Sequence, residues 1–271
     1  MAETENLIDT LALERIEVNL FRGVAPTGQG PRIFGGLVIG QALMAAYETV
    51  EARVCHSLHC YFIRPGDPSI PILYDVDRAR DGRTFTTRRV TAIQHGAQIF
   101  NLAASFHIDE PGAEHQDPMP AVPRPEAVAD DPDTEWRRAI EMRWIDGRQV
   151  ERPTAAPPAQ NVWMRAMAPL PDATPIQQAV LAYASDMSLL STAMRPHAMN
   201  WRTPGLQTAS LDHAIWFHRP SNFNDWHLYA QTSPSASGSR GFNLGQIFNA
   251  DGRLVASCAQ EGLMRRRPPA A

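Results

Sequence analysis

Three polar side chains stand in otherwise apolar stretches near the C-terminal end of this chain, and together they could hold one water. The first is Asp186, in the run Ala-Val-Leu-Ala-Tyr-Ala-Ser-Asp-Met-Ser-Leu-Leu-Ser-Thr-Ala-Met from Ala179 to Met194. At helical spacing it shares a stripe with Ala182, Tyr183, Leu189 and Leu190, so the pattern predicts one buried helix from about Pro175 to Met194 with a carboxylate inside it. A carboxylate there is costly unless it is paired or hydrogen-bonded. Asp186 is therefore either a structural anchor or a catalytic residue. Ser210 lies in Leu206–His213, at the start of the strand that follows. Gln260 follows Val255–Ala259; at period two its amide shares a face with Ala256 and Cys258, where small side chains leave room. Singly, each has a structural reading. Together they supply an acceptor, a hydroxyl and an amide, the set that holding a water requires.

Other chemistries lack their residues. All 25 basic residues are arginine, which removes Schiff-base chemistry and lysine-dependent phosphate loops. No Gly-x-Ser-x-Gly elbow is present. Gly35 to Gly40 has phosphate-loop spacing, but Gln41-Ala42 stands where Lys-Ser/Thr is required, and Gly28-x-Gly30 runs into Pro31. These helix glycines are read instead as close packing of helix against sheet. Cys55-His56-x-x-His59-Cys60 looks like a metal cluster until it is placed on a strand. Alternation then sends Cys55 and His59 one way and His56 and Cys60 the other, so no metal is expected. No motif calls for a cofactor either. His213 and His218 are read as polar contacts near a strand edge, and Arg265-Arg266-Arg267 as a solvated end.

Composition narrows the class further. The 271 residues are 44% hydrophobic and 20% charged, enough to bury a core of one large or two modest domains. A net charge of −4 gives no general pull toward nucleic acid. No apolar run is long enough to span a bilayer. The start, Met-Ala-Glu-Thr-Glu, lacks the features of a secretion signal, and the end, Pro-Pro-Ala-Ala, is not a peroxisomal address. Three cysteines are too few for a disulfide scaffold and suit a reducing compartment. A soluble cytoplasmic protein is expected.

The elements that must position these residues occur twice. Phe62-Ile63-Arg64-Pro65 is answered 155 residues later by Phe217-His218-Arg219-Pro220. Gly82 and Gly96 are answered 156 residues later by Gly238 and Gly252. A period this long means a duplicated domain and not a solenoid. Each half reads as a strand, an apolar helix (Phe34–Tyr47 in the first) and then strands joined by short turns. In the first half these are His56–Ile63, Pro71–Val76, Thr84–Ile93 and Ile99–Phe106. Asp251-Gly252 is a good hairpin signal and His95-Gly96 its weaker counterpart. Between the halves, Asp109–Gln160 holds nine of the chain's 23 prolines and the acidic run Asp130-Asp131-Pro132-Asp133, which reads as a linker. Ile140–Ile145 alternates and should open the second half as a strand. A buried helix followed by an antiparallel sheet, twice over, is an α+β arrangement.

Several segments in this order carry a resemblance. They are Phe34-Gly35-Gly36-x-x-x-Gly40-Gln41-Ala42, His56-Ser57-x-His59-x-Tyr61-Phe62-x-Arg64-Pro65-Gly66, Tyr183-Ala184-Ser185-Asp186, Leu211-Asp212-His213-x-x-Trp216-Phe217-His218-Arg219-Pro220 and Gln260-Glu261-Gly262. They closely resemble the acyl-CoA thioesterase II family, over roughly Leu20–His115 and Val162–Arg265. The resemblance implies a tandem double hot-dog fold, each half a curled antiparallel sheet around a central helix. The expected division is a first domain at 1–115, a linker at 116–138 and a second domain at 139–271. It further implies that the catalytic residues are Asp186, Ser210 and Gln260, with Ser210 standing where some members have threonine. The implied activity is hydrolysis of acyl-CoA to free fatty acid and coenzyme A by a water bound to these groups. Backbone N–H groups near a helix start would hold the oxyanion, and His56 is an alternative base. Arg64, Arg88, Arg89 and Arg240 are candidates for the coenzyme A phosphates. Hot-dog sheets commonly pair edge to edge, so a homo-oligomer is expected. Two other readings stay open: a hydratase or dehydratase on acyl thioesters, and a non-catalytic acyl-CoA binding protein. The first resembles enzymes that pair a His with an Asp or Glu, which Asp186-Met187-Ser188 does not offer.

Overall fold

Two helices, with proline only in the first turn of the second and side chains buried nearly all round, have to be covered on every side, and the chain does this by laying them against each other. The computed structural model describes residues 6–26, 30–129, 139–148 and 152–266. The first five residues, Gly28, the acidic run Asp130–Asp133, Arg267 and the final Pro-Pro-Ala-Ala lie outside the described residues. The first half contains α1 (Leu7–Leu11), β1 (Glu14–Glu17), β2 (Leu20–Gly23), α2 (Gly35–Tyr47), β3 (Val54–Phe62), β4 (Ile72–Asp81), β5 (Phe85–Gln94) and β6 (Ala97–His107). The second contains β7 (Ile140–Trp144), β8 (Ala159–Ala166), α3 (Thr174–Ser185), α4 (Leu189–Met194), β9 (Leu206–Ser210), β10 (Asp212–Phe217), β11 (His227–Ser237), β12 (Arg240–Asn249) and β13 (Leu254–Arg266). One antiparallel sheet runs β1-β2-β4-β5-β6-β3-β10-β13-β12-β11-β8-β7, with β9 also paired to β13. The order reads the same from either end of the β3–β10 seam, as a duplication requires.

The repeat extends to single hydrogen bonds. Ile63 N and Arg64 N both donate to Ile99 O, and His218 N and Arg219 N both donate to Val255 O. The paired arginines do the same work: Arg64 Nη1 donates to Gln98 O at 2.5 Å and Arg219 Nη1 to Leu254 O at 2.9 Å. Arg64 is thus tied to the backbone, whatever else it meets. His95 and Gly96 both take positive φ and form the two-residue turn that closes β5 onto β6. Asp251-Gly252 closes a wider loop, where Asn249 Oδ1 accepts from the backbone N–H of Asp251 and Arg253.

Gly36 and Gly40 of α2 serve a helix–helix contact, while Gly35 makes the helix–sheet contact expected of it, against the Phe62 ring of β3. A Cβ on Gly36 would collide with Tyr183 O, and one on Gly40 would sit 3.2 Å from Ala179 O. Residues 36 and 40 therefore meet 183 and 179, so α2 and α3 run antiparallel in close contact. Phe34 and Tyr183 add an edge-to-face ring pair at 5.0 Å. At the far end of the pair, Tyr47 Oη donates to Gln178 Oε1 (2.5 Å) and accepts from Cys55 N (2.9 Å), while Gln178 Nε2 donates to Cys55 O. That end is filled by a satisfied, buried network.

Three further expectations need correction. Strict alternation fails at the start of β3, where the pairing with β6 slips between Cys55 and Ser57. This bulge turns both Cys55 and Cys60 inward, while His59 is exposed and packs its ring 5.1 Å from Trp216. The four residues do not converge. Arg88 is buried, not available to a phosphate: its guanidinium donates to Thr49 Oγ1 (2.8 Å), Thr49 O (2.9 Å) and Arg80 O (3.1 Å) and pairs with Asp81. It caps the C-terminal end of α2, where a cation suits the helix dipole. The described part of the linker, to residue 129, lacks helix and strand apart from a 3-10 turn at Pro125–Ala127, yet it is docked. Gln116 bonds Gly252 O and Leu254 N, Arg124 bonds Ala250 O, and Trp163 Nε1 donates to Pro123 O. Met119, Val122 and Val128 cover Trp163, Leu228 and Phe248 there. Among the described residues no helix is long and apolar enough to cross a membrane.

Candidate active site

Asp186 does not lie inside one long helix. The helix stops at Ser185, Asp186 is its C-terminal cap (φ −84°, ψ −10°), and α4 begins at Leu189 after the buried Ser188. Short polar side chains compete for backbone groups and break helices, and three of them, Ser185, Asp186 and Ser188, cluster here. Two buried glutamines from the sheet secure the break. Gln231 Nε2 donates to Ser188 Oγ (2.5 Å), and Gln160 Nε2 lies 2.8 Å from Ser191 Oγ and 2.7 Å from Gln231 Oε1. Asp186 is also less buried than its neighbours on either side. Its carboxylate points from the gap between two helices, which a helical stripe could not show.

The sequence-predicted partners meet it there. Ser210 Oγ donates to Asp186 Oδ1 at 3.0 Å, and Gln260 Nε2 donates to the same oxygen at 2.5 Å. Gln260 Nε2 also lies 3.3 Å from Ser210 Oγ. Ser210 ends β9 and does not begin a strand; the chain kinks at Leu211, whose N–H donates to Glu261 O, before β10 starts. Asp212 Oδ1 accepts from Glu261 N at 2.7 Å and pins that kink. Ala256, Cys258 and Gln260 all face the interior from β13.

The other half supplies the remaining wall. A Cβ on Gly35 would lie 2.6 Å from Asp186 Oδ2 and 2.9 Å from the Phe62 ring. Only a glycine lets the first turn of α2 come so near the carboxylate. The first N–H groups of a helix have no intrahelical acceptor, and the dipole makes that end positive. Asp186 thus stands between the negative end of α3 and the positive end of α2, which offset each other around its charge. The wall of the site belongs to both halves of the chain.

His213 was not expected here. β10 is a central strand, paired with both β3 and β13, so His213 is no edge residue. It is buried, with Nδ1 3.0 Å from Gln260 Nε2 and Nε2 2.9 Å from Ser185 Oγ. The available signal was its place in Leu-Asp-His-Ala-Ile, a polar ring at a core position of a strand. His218 contacts Ser257 on the outer face, and His56 contacts Ser105, Phe85 and His107, not Asp186. Burial, then His107, lowers the His56 pKa. Burial, followed by the charges of Asp186 and Asp212, raises the Cys60 thiol and keeps it neutral. Of the remaining candidate arginines, Arg89 is exposed on β5 and Arg240 pairs with Glu261 at 2.9 Å.

Burial pulls the His213 pKa down to about 3, and burial likewise takes His227 to about 4 against the opposing effect of Asp225. In the unfolded chain both return to the ordinary value of about 6.5. Between those limits the unfolded state binds more protons, so this stability is present above the unfolded pKa and is lost as the pH falls. Denaturant midpoints are expected to decline from about pH 7 to about pH 4.5, less steeply in His213→Asn. A slope unchanged by that substitution would contradict the neutral buried ring.

The comparisons with known proteins cover nearly the whole chain. A family model described as acyl-CoA thioesterase matches residues 132–263, and one described as acyl-CoA thioesterase N-terminal domain matches residues 24–107. The chain is 40% identical to acyl-CoA thioesterase 2 of Haemophilus influenzae, across 96% of this chain and 97% of that one. It superposes on the crystal structure of an acyl-CoA thioesterase II from Mycobacterium marinum with a TM-score of 0.85, at 41% identity, covering 98% and 100% of the two chains. A hot-dog protein from Alicyclobacillus acidocaldarius superposes with a TM-score of 0.83 at 20% identity, which speaks to the fold alone.

Proposed function

The chain belongs to the acyl-CoA thioesterase II family and hydrolyses acyl-CoA thioesters, and from that premise we propose that Asp186, Ser210 and Gln260 hold and activate the attacking water. The observation that carries this reading is the convergence of a hydroxyl and an amide on one oxygen of Asp186, while the first turn of α2 approaches the other. Asp186 takes a proton from the water as its oxygen attacks the thioester carbonyl. The resulting oxyanion is held by N–H groups of the first α2 turn, among them those of Gly35 and Gly36. Collapse breaks the carbon–sulfur bond, and the proton on Asp186 passes to the departing thiolate. Thioester and water become acid and thiol, with no acyl-enzyme.

Thiol release checks the activity, and its loss on substitution of Asp186, Ser210 or Gln260 tests the proposed roles. Purified protein given acyl-CoAs of several chain lengths is expected to liberate one thiol for each free acid formed. Hydration would leave the thioester intact, and a binding module would show a thermal shift without thiol; either outcome would overturn hydrolysis.

Two domains, at 1–115 and 139–271, are supported by the seam between β3 and β10. A homo-oligomer is supported by large exposed side chains on that part of the sheet, Tyr61 and Trp216 among them. A cytoplasmic location is supported by three buried, free cysteines.

A further inference from the structure

Gln260 Nε2 has two hydrogens and faces three acceptors. They are Asp186 Oδ1 at 2.5 Å, His213 Nδ1 at 3.0 Å and Ser210 Oγ at 3.3 Å. Ser210 already sends its own proton to Asp186. The two shorter contacts therefore use both amide hydrogens. They can do so only while His213 Nδ1 is an acceptor, which puts the imidazole proton on Nε2. On that side Ser185 Oγ donates its proton to Ala182 O at 2.9 Å, leaving a lone pair to receive the Nε2 hydrogen. Tyr229 Oη donates to Ser185 O at 3.0 Å and holds the residue in place. These directions are mutually consistent, and the neutral thiol of Cys258 lies beside both Ser185 and Tyr229.

We propose that His213 and Ser185 are positioning residues for the hydrolysis: together they fix the imidazole tautomer that sets which way the Gln260 amide faces. The inference rests on the reading of Gln260 as a group that serves the water. With Nδ1 accepting, the N–H groups of Gln260 point at Asp186 and His213, and its carbonyl oxygen is kept as an acceptor for the water. With the opposite tautomer the amide would turn over, and Oε1 would stand 2.5 Å from a carboxylate oxygen. Among the described residues Gln260 Oε1 has no hydrogen-bond partner, although it is buried. The same holds for Oδ1 of Asn243, its cross-strand neighbour. A buried acceptor without a donor is costly, so the tautomer holds Gln260 in an orientation that a water donor relieves. Burial disfavours the charged ring and pulls its pKa down to about 3.

Nitrogen NMR of the wild-type protein with 15N-labelled histidine tests the tautomer without any substitution. His213 is expected to be neutral with its proton on Nε2 between about pH 5 and pH 8; a proton on Nδ1 overturns the proposal whatever the activity. Two variants test the consequence, with melting temperatures taken alongside. His213→Asn places a side-chain oxygen near the Nδ1 position and is expected to recover most of kcat. His213→Gln reaches Ser185 but offers Gln260 no acceptor, and its kcat is expected to fall about 10- to 100-fold at unchanged KM. Equal losses in the two variants overturn the proposal. In a Gln260→Ala background, His213→Gln is expected to cost nothing further, and a full additional loss overturns it. Wild-type kcat in Gln260→Ala alone removes Gln260 from the reaction and the purpose of the lock with it, while the tautomer stands as measured.

Discussion

Asp186→Asn is expected to lower kcat by about 10²- to 10⁴-fold, the usual contribution of a positioned base, while the protein folds normally and KM changes little. The amide has the same shape, and its oxygen can accept from Ser210 and Gln260 as Oδ1 does. What it lacks is the lone pair that takes the proton from water. The electrostatic cost should be small, because losing the negative charge relieves the end of α3 as much as it deprives the start of α2; each such effect is about 0.3–1 kcal/mol. Steady-state kinetics beside a thermal melt would decide the matter. A variant that turns over at the wild-type rate would remove Asp186 from the role of base, and one that fails to melt cooperatively would make it an anchor.

Gly35→Ala is expected to be nearly as damaging, although it removes no functional group. The added methyl would lie 2.6 Å from Asp186 Oδ2 and 2.9 Å from the ring of Phe62, distances that real contacts do not tolerate. Asp186 cannot simply swing aside, because its other oxygen is held by two donors from different strands. Either the carboxylate turns or the first turn of α2 backs away, and both separate the base from the N–H groups opposite. A misplacement of about 1 Å can cost about 10²-fold in rate, whereas the strain on the fold is about 1–3 kcal/mol. Gly112→Ala is the control, since a methyl there meets nothing within 4 Å. If Gly35→Ala keeps kcat within a few-fold of Gly112→Ala, the approach of α2 to the carboxylate has no catalytic meaning.

How much of this was legible in the sequence depends on the range of the interaction involved. The duplication was legible because it repeats whole segments, and the symmetry of the sheet about the β3–β10 seam follows from it. The interior face of Ala256, Cys258 and Gln260 followed from period two alone. The meeting of Gln260 with Asp186 and Ser210 did not, since the three lie on different elements; their polar types in apolar stretches singled them out, and the family resemblance joined them as a site. The helix break at Asp186 was hidden because Leu189 and Leu190 continue the apolar pattern after it. The break at this polar cluster is secured by a tertiary network from Gln160 and Gln231, far away in sequence. The bulge at Cys55 defeated the alternation argument for the same reason, as did the burial of Arg88, which depends on where α2 ends. His213 was misplaced because a strand in the middle of a sheet reads no differently from one at its edge.

The pairing of α2 with α3 puts a carboxylate at one end of the pair and a tyrosine–glutamine plug at the other. Two identical single repeats joined by a symmetry axis would have to carry both ends alike, either two reactive centres or two plugs. Joining the repeats in one chain frees each end to take its own sequence. Here the first half supplies the blunt glycine turn that faces Asp186 of the second, so the surroundings of that carboxylate are a product of both repeats and could not be assembled from either one alone.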